Sequence, residues 1–309
     1  MVATETPVPL NKSPISGLAC QNYNRRPIAV VLAEDEVARP LSGISQLDLA
    51  IEMPVITGGI TRTVAFFQCN EPEEIGSIRS ARHDFIPLTM GIDAVLVHWG
   101  GSHFALDMLN KGIMDNVDAL TNPYQAFWRK QTIPAPHNGF TSIKNILKVI
   151  KAKNYREVSN FEGYPHLEIS GGKGQILDKK GILNILYSIP FNVRYEYNPE
   201  TNSYLRWRGD EPEIDKLSGS QVEANNIVIM RAFSRQLEKD YNDVDVEGQG
   251  RAVVYRNGEE IKGTWEKDKS NPSSKLYFFD ENGKEIEFIP GPIWIEIVEP
   301  YQKVEWRND

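Results

Sequence analysis

Residues 75–85 read Ile-Gly-Ser-Ile-Arg-Ser-Ala-Arg-His-Asp-Phe, a basic stretch in a chain whose formal net charge is −8. Arg79, Arg82 and His83 are interleaved there with Ser77 and Ser80. A guanidinium presents its donors in a rigid fork and stays charged, so two of them beside hydroxyls suit capture of a phosphate or carboxylate. Arg62 belongs with them. It follows Gly-Gly-Ile-Thr at the start of an expected strand, where a long cation can reach over the sheet end. Gly100-Gly101-Ser102 follows an apolar run, and small residues beyond a strand end let a ligand approach backbone N–H groups. The bland alternatives are ordinary salt bridges to Glu73, Glu74 or Asp84, and an edge-strand role for Arg62.

Acid–base chemistry would need a different set. His137 sits in a turn between Pro-Ala-Pro and an expected helix, and is the better candidate general base. Its neighbour Asn138 is counted as a ligand contact, although turn chemistry alone accounts for Asn138-Gly139. His98 ends an apolar strand and is either a second base or a satisfied core residue. Glu52, ending another strand, is an acid partner for a base or a buried ion-pair partner for Arg62 or Arg79.

Familiar motifs fail. Ser-Gly-Gly-Lys-Gly at 170–174 lacks the spacing of a phosphate loop, and Glu-Gly-Gln-Gly at 247–250 lacks the third glycine of a dinucleotide fingerprint. Residues 243–248 mimic the first half of a calcium loop, but Val254 stands where the closing glutamate is needed. His98 and His103 are not spaced as zinc ligands on one helix face. No metal site and no cofactor are indicated. Tyr195, Tyr197, Tyr204 and Trp207 form either an aromatic platform for a sugar or peptide, or the packed face of a hairpin.

The elements that must position these groups can be read in outline. Residues 28–34, 47–54, 61–69 and 94–99 read as strands, with Gly58-Gly59 as a tight connection. A helix is expected over 81–91, capped by Ser80 and shortened by Pro87. Arg82 would then oppose the helix dipole, a broken local rule of the kind that marks function. Further helices are expected at 103–111, opened by Ser102, and at 142–153, where Ile143, Ile146, Leu147 and Ile150 make one apolar stripe. Beyond about 190 the chain reads as β. Asn-Gly pairs at 257–258 and 282–283 lie between β-rich runs, the strongest short hairpin signal.

With 309 residues, 40% hydrophobic and 25% charged, the chain has the composition of a folded soluble protein. Its acidic balance argues against nucleic acid as a partner. No apolar run approaches about 18 residues, so nothing in the sequence spans a membrane. Cys20 and Cys69 read either as one disulfide in an exported protein or as two partly buried thiols.

One further reading rests on long strings. RPIAVVLAEDEVARPLSGISQLDLAIEMPVITGGITRTVAFFQ and PEEIGSIRSAR, followed by AVLVHWGGS, PAPHNGFTS, YEYNPETNSYLRW, NNIVIM, GQGRAVVYRNGEEIKGTW and GPIWIEIV, resemble the YerB-like family of bacterial proteins. The resemblance runs from about Pro14 to Pro300. Members are described as lipoproteins built from a domain of unknown function. It implies an extracytoplasmic protein whose anchor lies upstream, a Ser/Thr/Pro leader that is the remnant of a tether, and a location that favours a Cys20–Cys69 bond. No activity is carried over. Members often have Asn a few residues after the first strand, where this chain reads Ala33-Glu34-Asp35.

The expected architecture is therefore α+β: a flexible leader over 1–26, an N-terminal sheet with packed helices over 27–160, and a β-rich part over 161–309. The expected function is binding of an anionic small molecule or cell-envelope component by Arg62, Arg79, Ser80, Arg82, Gly100, Gly101, Ser102 and Asn138. The alternatives are an envelope hydrolase or transferase using His98 or His137 as base, and a non-catalytic scaffold. The oligomeric state is not legible in the sequence.

Overall fold

A computed structural model describes residues 11–168 and 180–308. Ile28–Ala33, a continuous apolar run, is buried along its whole length. Such a run needs cover on both faces of its sheet. It pairs antiparallel with Thr61–Phe67 and parallel with Val95–His98. Thr61–Phe67 pairs antiparallel with Leu49–Pro54, which lies parallel to Ile293–Val298. Addition of Asn116–Asp118, Asn226–Arg231, Gly248–Arg256, Glu259–Lys267 and Tyr277–Asp280 completes a mixed sheet of ten strands.

Alternate residues along these strands face opposite ways. Ile28, Val30 and Leu32 join one core, whereas Ala29 and Val31 join the other. The first core is closed by the helix Ile143–Ala152 and by a second, antiparallel sheet containing Gly181–Ile185, Val193–Asn198, Ser203–Arg208 and Val304–Asn308. The second core is closed by the short helices Phe85–Met90 and His103–Leu109.

The α+β expectation is corrected. The protein is mostly β, 40% strand against 11% helix, with three α-helices among the described residues. Two causes stand out. The helix expected over 81–91 shrinks to Phe85–Met90, with Pro87 near its start and Gly91 as its C-cap. In addition, the segment 75–141 holds strands of two or three residues, such as Ile75–Gly76, Trp128–Arg129 and Gly139–Thr141, too short for alternation to reveal.

Other elements form where the local chemistry placed them. Ser142 caps Ile143–Ala152 by accepting from the Asn145 N–H at 3.2 Å, and Ile143, Ile146 and Ile150 are buried. Asn257 and Gly258 both have positive φ, +53° and +67°, as a two-residue hairpin turn requires, and Arg256 pairs with Glu259 across it. At Asn282-Gly283 the chain turns and is closed by an isolated Phe279–Glu285 bridge, with Asp280 N–H donating to Lys284 O (2.9 Å) and Ile286 N–H to Phe278 O (2.8 Å).

The sheet draws strands from both sides of residue 160, joining Leu49–Pro54 to Ile293–Val298. Of the expected leader, residues 1–10 lie outside the described residues, as does the 170–174 stretch. Residues 11–26 are packed rather than loose: Ile15 and Ser16 are buried, Lys12 bridges Ala19, and Cys20 is disulfide-bonded to Cys69. No described helix is long and apolar enough to cross a membrane.

Candidate functional site

The stretch 77–81 is extended, not the start of a helix. It runs across the ends of two parallel strands, Ile28–Ala33 and Val95–His98. On one side Ala33 N–H donates to Ser77 O (2.9 Å) and Arg79 N–H to Val31 O (2.8 Å). On the other, Trp99 N–H donates to Arg79 O (3.0 Å) and Ala81 N–H to Gly100 O (2.9 Å). Ser80 is therefore not a helix cap, and the residue preceding Phe85–Met90 is Asp84, whose side chain makes no capping bond. The dipole argument for Arg82 falls with it.

The backbone route nevertheless brings the three arginines together. Arg62, paired with Ala33 and Met53 in the sheet, donates from Nη1 to Ser80 O at 2.9 Å. Burial pushes its guanidinium well below the usual arginine range, and Arg82 and Arg79 push the same way. Arg82 lies over the Tyr241 ring at 5.2 Å, and burial, helped by Arg79, lowers it to about 10. Burial also lowers Arg79, against the opposing charge of Asp35. Among the described residues, no carboxylate lies within ion-pair distance of Arg62, Arg79 or Arg82. The Nε atom of each is buried with no hydrogen-bond partner.

His137 joins this group from the opposite side. Ile78 N–H donates to Gly139 O (2.9 Å) and Ser77 Oγ to His137 O (2.5 Å), which holds the 137–139 turn against the arginine stretch. His137 Nδ1 lies 3.6 Å from Asp35 Oδ2, and neither atom has a hydrogen-bond partner. Burial lowers the pKa of His137; Asp35 raises it and Arg79 and Arg62 lower it further. Among the described residues, five polar atoms of this set lack a hydrogen-bond partner: three guanidinium Nε groups, one imidazole nitrogen and one carboxylate oxygen. The three arginines act on one another, and Asp35, Arg79 and Arg62 act on His137.

The other expected ligand donors are employed elsewhere. Gly100, at φ +63°, donates its N–H to Asp118 Oδ1 (2.8 Å), and Gly101 bridges Ala81. Ser102 gives its N–H to Ala81 O (3.1 Å), and its hydroxyl caps the following helix by accepting from Ala105 N–H (3.1 Å). Asn138 Oδ1 accepts from Arg129 Nη1 at 2.5 Å. His98 is buried with both ring nitrogens engaged, Nδ1 with Gly100 O (2.8 Å) and Nε2 with Asn116 Oδ1 (3.1 Å), which leaves no nitrogen free to act as a base. Tyr195, Tyr197 and Tyr204 are buried in the core, not displayed as a platform, while Trp207 stacks with Arg194.

Glu52 pairs with arginines, but not with Arg62 or Arg79. It accepts from Arg208 through both oxygens (2.7 and 2.8 Å), from Arg206, and from Thr61 Oγ1 (2.6 Å). Arg206 also contacts Glu213 and Glu296, and Arg208 reaches Glu34 Oε2 at 2.7 Å. Tyr195 OH donates to Glu296 at 2.6 Å. Sequence reading missed this network of four glutamates and two arginines between the sheets. The only local signal is Tyr204, Arg206 and Arg208 sharing the inner face of Ser203–Arg208.

Comparison with known proteins agrees with this architecture. Residues 15–156 match the N-terminal domain, and residues 183–295 the C-terminal domain, of the family described as "Protein of unknown function (DUF3048)". The chain is 31% identical over 293 residues to a Bacillus subtilis (strain 168) protein named "Putative lipoprotein YerB", spanning 93% of this chain and 86% of that protein. The crystal structure of YerB from Bacillus subtilis superposes with a TM-score of 0.83 at 28% identity, covering 95% of this chain and 99% of that one. The chain belongs to the DUF3048 family of YerB-like proteins.

Proposed function

We propose that this member of the DUF3048 family is an extracytoplasmic, membrane-tethered protein that binds an anionic group of the cell envelope through Arg62, Arg79 and Arg82. The name of its Bacillus relative supports the tether. The observation that carries the binding reading is the charge arrangement. Three partly or fully buried guanidinium groups repel one another with no carboxylate paired to any of them among the described residues. Asp35 offsets part of this charge at Arg62 and Arg79. The remainder is costly to bury, and a phosphate or carboxylate would offset it with charge-assisted hydrogen bonds. Ser80, Gly100, Gly101, Ser102 and Asn138 support the backbone around the arginines in this reading.

Calorimetric titration with inorganic phosphate and pyrophosphate at low salt tests it. Binding should weaken by about tenfold or more in Arg79→Gln and Arg82→Gln, since each loses a charge-assisted contact. Equal binding by the folded variants would exclude the arginine site.

A second reading keeps the same residues but makes the protein a hydrolase or transferase. It is favoured by the His137–Asp35 approach of 3.6 Å beside Arg62 and Arg79, with the imidazole biased toward its neutral form. His137 would be the base and the arginines would stabilise developing negative charge. Turnover of phosphate-ester or carboxylic-ester probes that survives in His137→Gln would remove this reading.

A further inference from the structure

Immediately after Arg82, the dipeptide His83-Asp84 meets Asp243 from the strand Tyr241–Val244. His83 Nε2 lies 3.2 Å from Asp84 Oδ1 and 3.3 Å from Asp243 Oδ1. One ligating atom from each of the three lies within 4.8 Å of the others. Adjacent ligands around an ion with bonds of about 2.0–2.2 Å stand roughly 3 Å apart, and opposite ones roughly 4.2 Å. The two measured edges match adjacent positions, and the third lies within 4.8 Å.

A cluster of this kind can be nothing more than a hydrogen-bonded trio. A separate feature points to a ligand. The Asp84 side chain is 3% exposed and lines a cavity of about 460 Å³, yet its Oδ2 is buried with no hydrogen-bond partner. A carboxylate oxygen stranded in this way costs free energy, which a cation held by both Asp84 oxygens would recover. The cavity is also lined by Asp245 and Glu247, and has room for waters to complete a coordination shell. The competing cation on Asp243 is Arg235, whose side chain is 61% exposed and can turn into solvent.

We propose that His83, Asp84 and Asp243 bind one divalent transition-metal ion of the Mn²⁺ or Zn²⁺ type at the wall of this cavity. One imidazole and two carboxylates suit such ions better than an all-oxygen calcium shell or an all-sulfur zinc site. Asp243 opens the acidic run whose calcium-loop spacing fails. Its ligand partners come instead from a segment 160 positions away, which no local spacing rule can detect.

The full chain, stripped with a chelator, is titrated with Mn²⁺ and separately with Zn²⁺ by calorimetry, with Mn²⁺ paramagnetic resonance as a second readout. One ion per chain is expected, with affinity weakened by about tenfold or more in His83→Ala, Asp84→Asn and Asp243→Asn. Circular dichroism melts establish folding. Should Asp84→Asn not fold, the other two positions, less buried, decide the matter. Unchanged stoichiometry and affinity in these variants, or no binding of either ion at about 1 mM, overturns the site.

Discussion

Glu34 and Glu52 accept hydrogen bonds from the same nitrogen: Arg208 Nη2 lies 2.7 Å from Glu34 Oε2 and 2.8 Å from Glu52 Oε2. Their proton affinities nevertheless diverge. Burial would raise both carboxyls. At Glu52 that effect is outweighed by Arg208 and Arg206, which hold it at about 2. At Glu34 burial prevails over the attraction of Arg208, with repulsion from Glu52 adding to it, and the group rises to about 8.

Stability should therefore depend on pH through both groups, with opposite sign. Glu34 binds its proton more tightly when folded, so its contribution is complete below its unfolded value of 4.5 and is lost as pH rises through about 8. The contribution of Glu52 is present above 4.5 and is lost as pH falls toward about 2. Glu34→Gln should flatten the decline in stability between about pH 5 and 8, removing a slope of up to about 1.4 kcal/mol per pH unit. Urea unfolding across that range measures it; an identical slope in both proteins would refute the assignment.

Arg62 is expected to trade stability for binding. It is buried beside two like charges, and among the described residues its side chain makes one hydrogen bond, to Ser80 O. Arg62→Met should raise the stability of the ligand-free protein by roughly 1–2 kcal/mol while abolishing any stabilisation by added phosphate. Thermal melts with and without phosphate report both effects, and a variant that melts lower with phosphate protection intact would contradict this account.

The His137 ring should titrate below 6.5, its ordinary value. Arg79→Gln should move its midpoint upward and Asp35→Asn downward, because the first removes a repelling charge and the second an attracting one. Proton–nitrogen NMR of the imidazole follows each shift by direction. Movement in the reverse sense would place His137 outside the field of these groups.

Cys20 and Cys69 close a loop across a separation of 49 residues, tying the packed segment 11–26 to the end of a central strand. In the chain-entropy account a crosslink of that span stabilises by about 4 kcal/mol. Reduction, or the Cys20→Ser/Cys69→Ser variant, should lower the denaturation midpoint accordingly. A midpoint unmoved by reduction would show that the packing of Ile15 and Ser16 alone holds the segment.

Several features were legible in the residues alone. The buried strand Ile28–Ala33 follows from an unbroken apolar run, the helix Ile143–Ala152 from its stripe and Ser142, and the hairpin at Asn257-Gly258 from the turn's need for positive φ. The grouping of Arg62, Arg79 and Arg82 is legible in part: a long cation at a strand start can reach over the sheet end, as Arg62 does to Ser80 O, but the helix expected after Ser80 does not begin there. They meet because an extended segment crosses two strand ends, not because a helix begins at Ser80.

The sequence by itself determined which residues could be buried, where the chain must turn, and which side chains could carry charge into the interior. Only the tertiary structure decided which charges meet. Glu52 reads in the sequence as an acid partner for a base or as an ion-pair partner for Arg62 or Arg79, yet it pairs with Arg206 and Arg208, 154 and 156 positions away. Strand periodicity tells which face of a sheet a side chain occupies. It does not tell which second sheet will cover that face, and ion pairs exist only once two faces have been brought together.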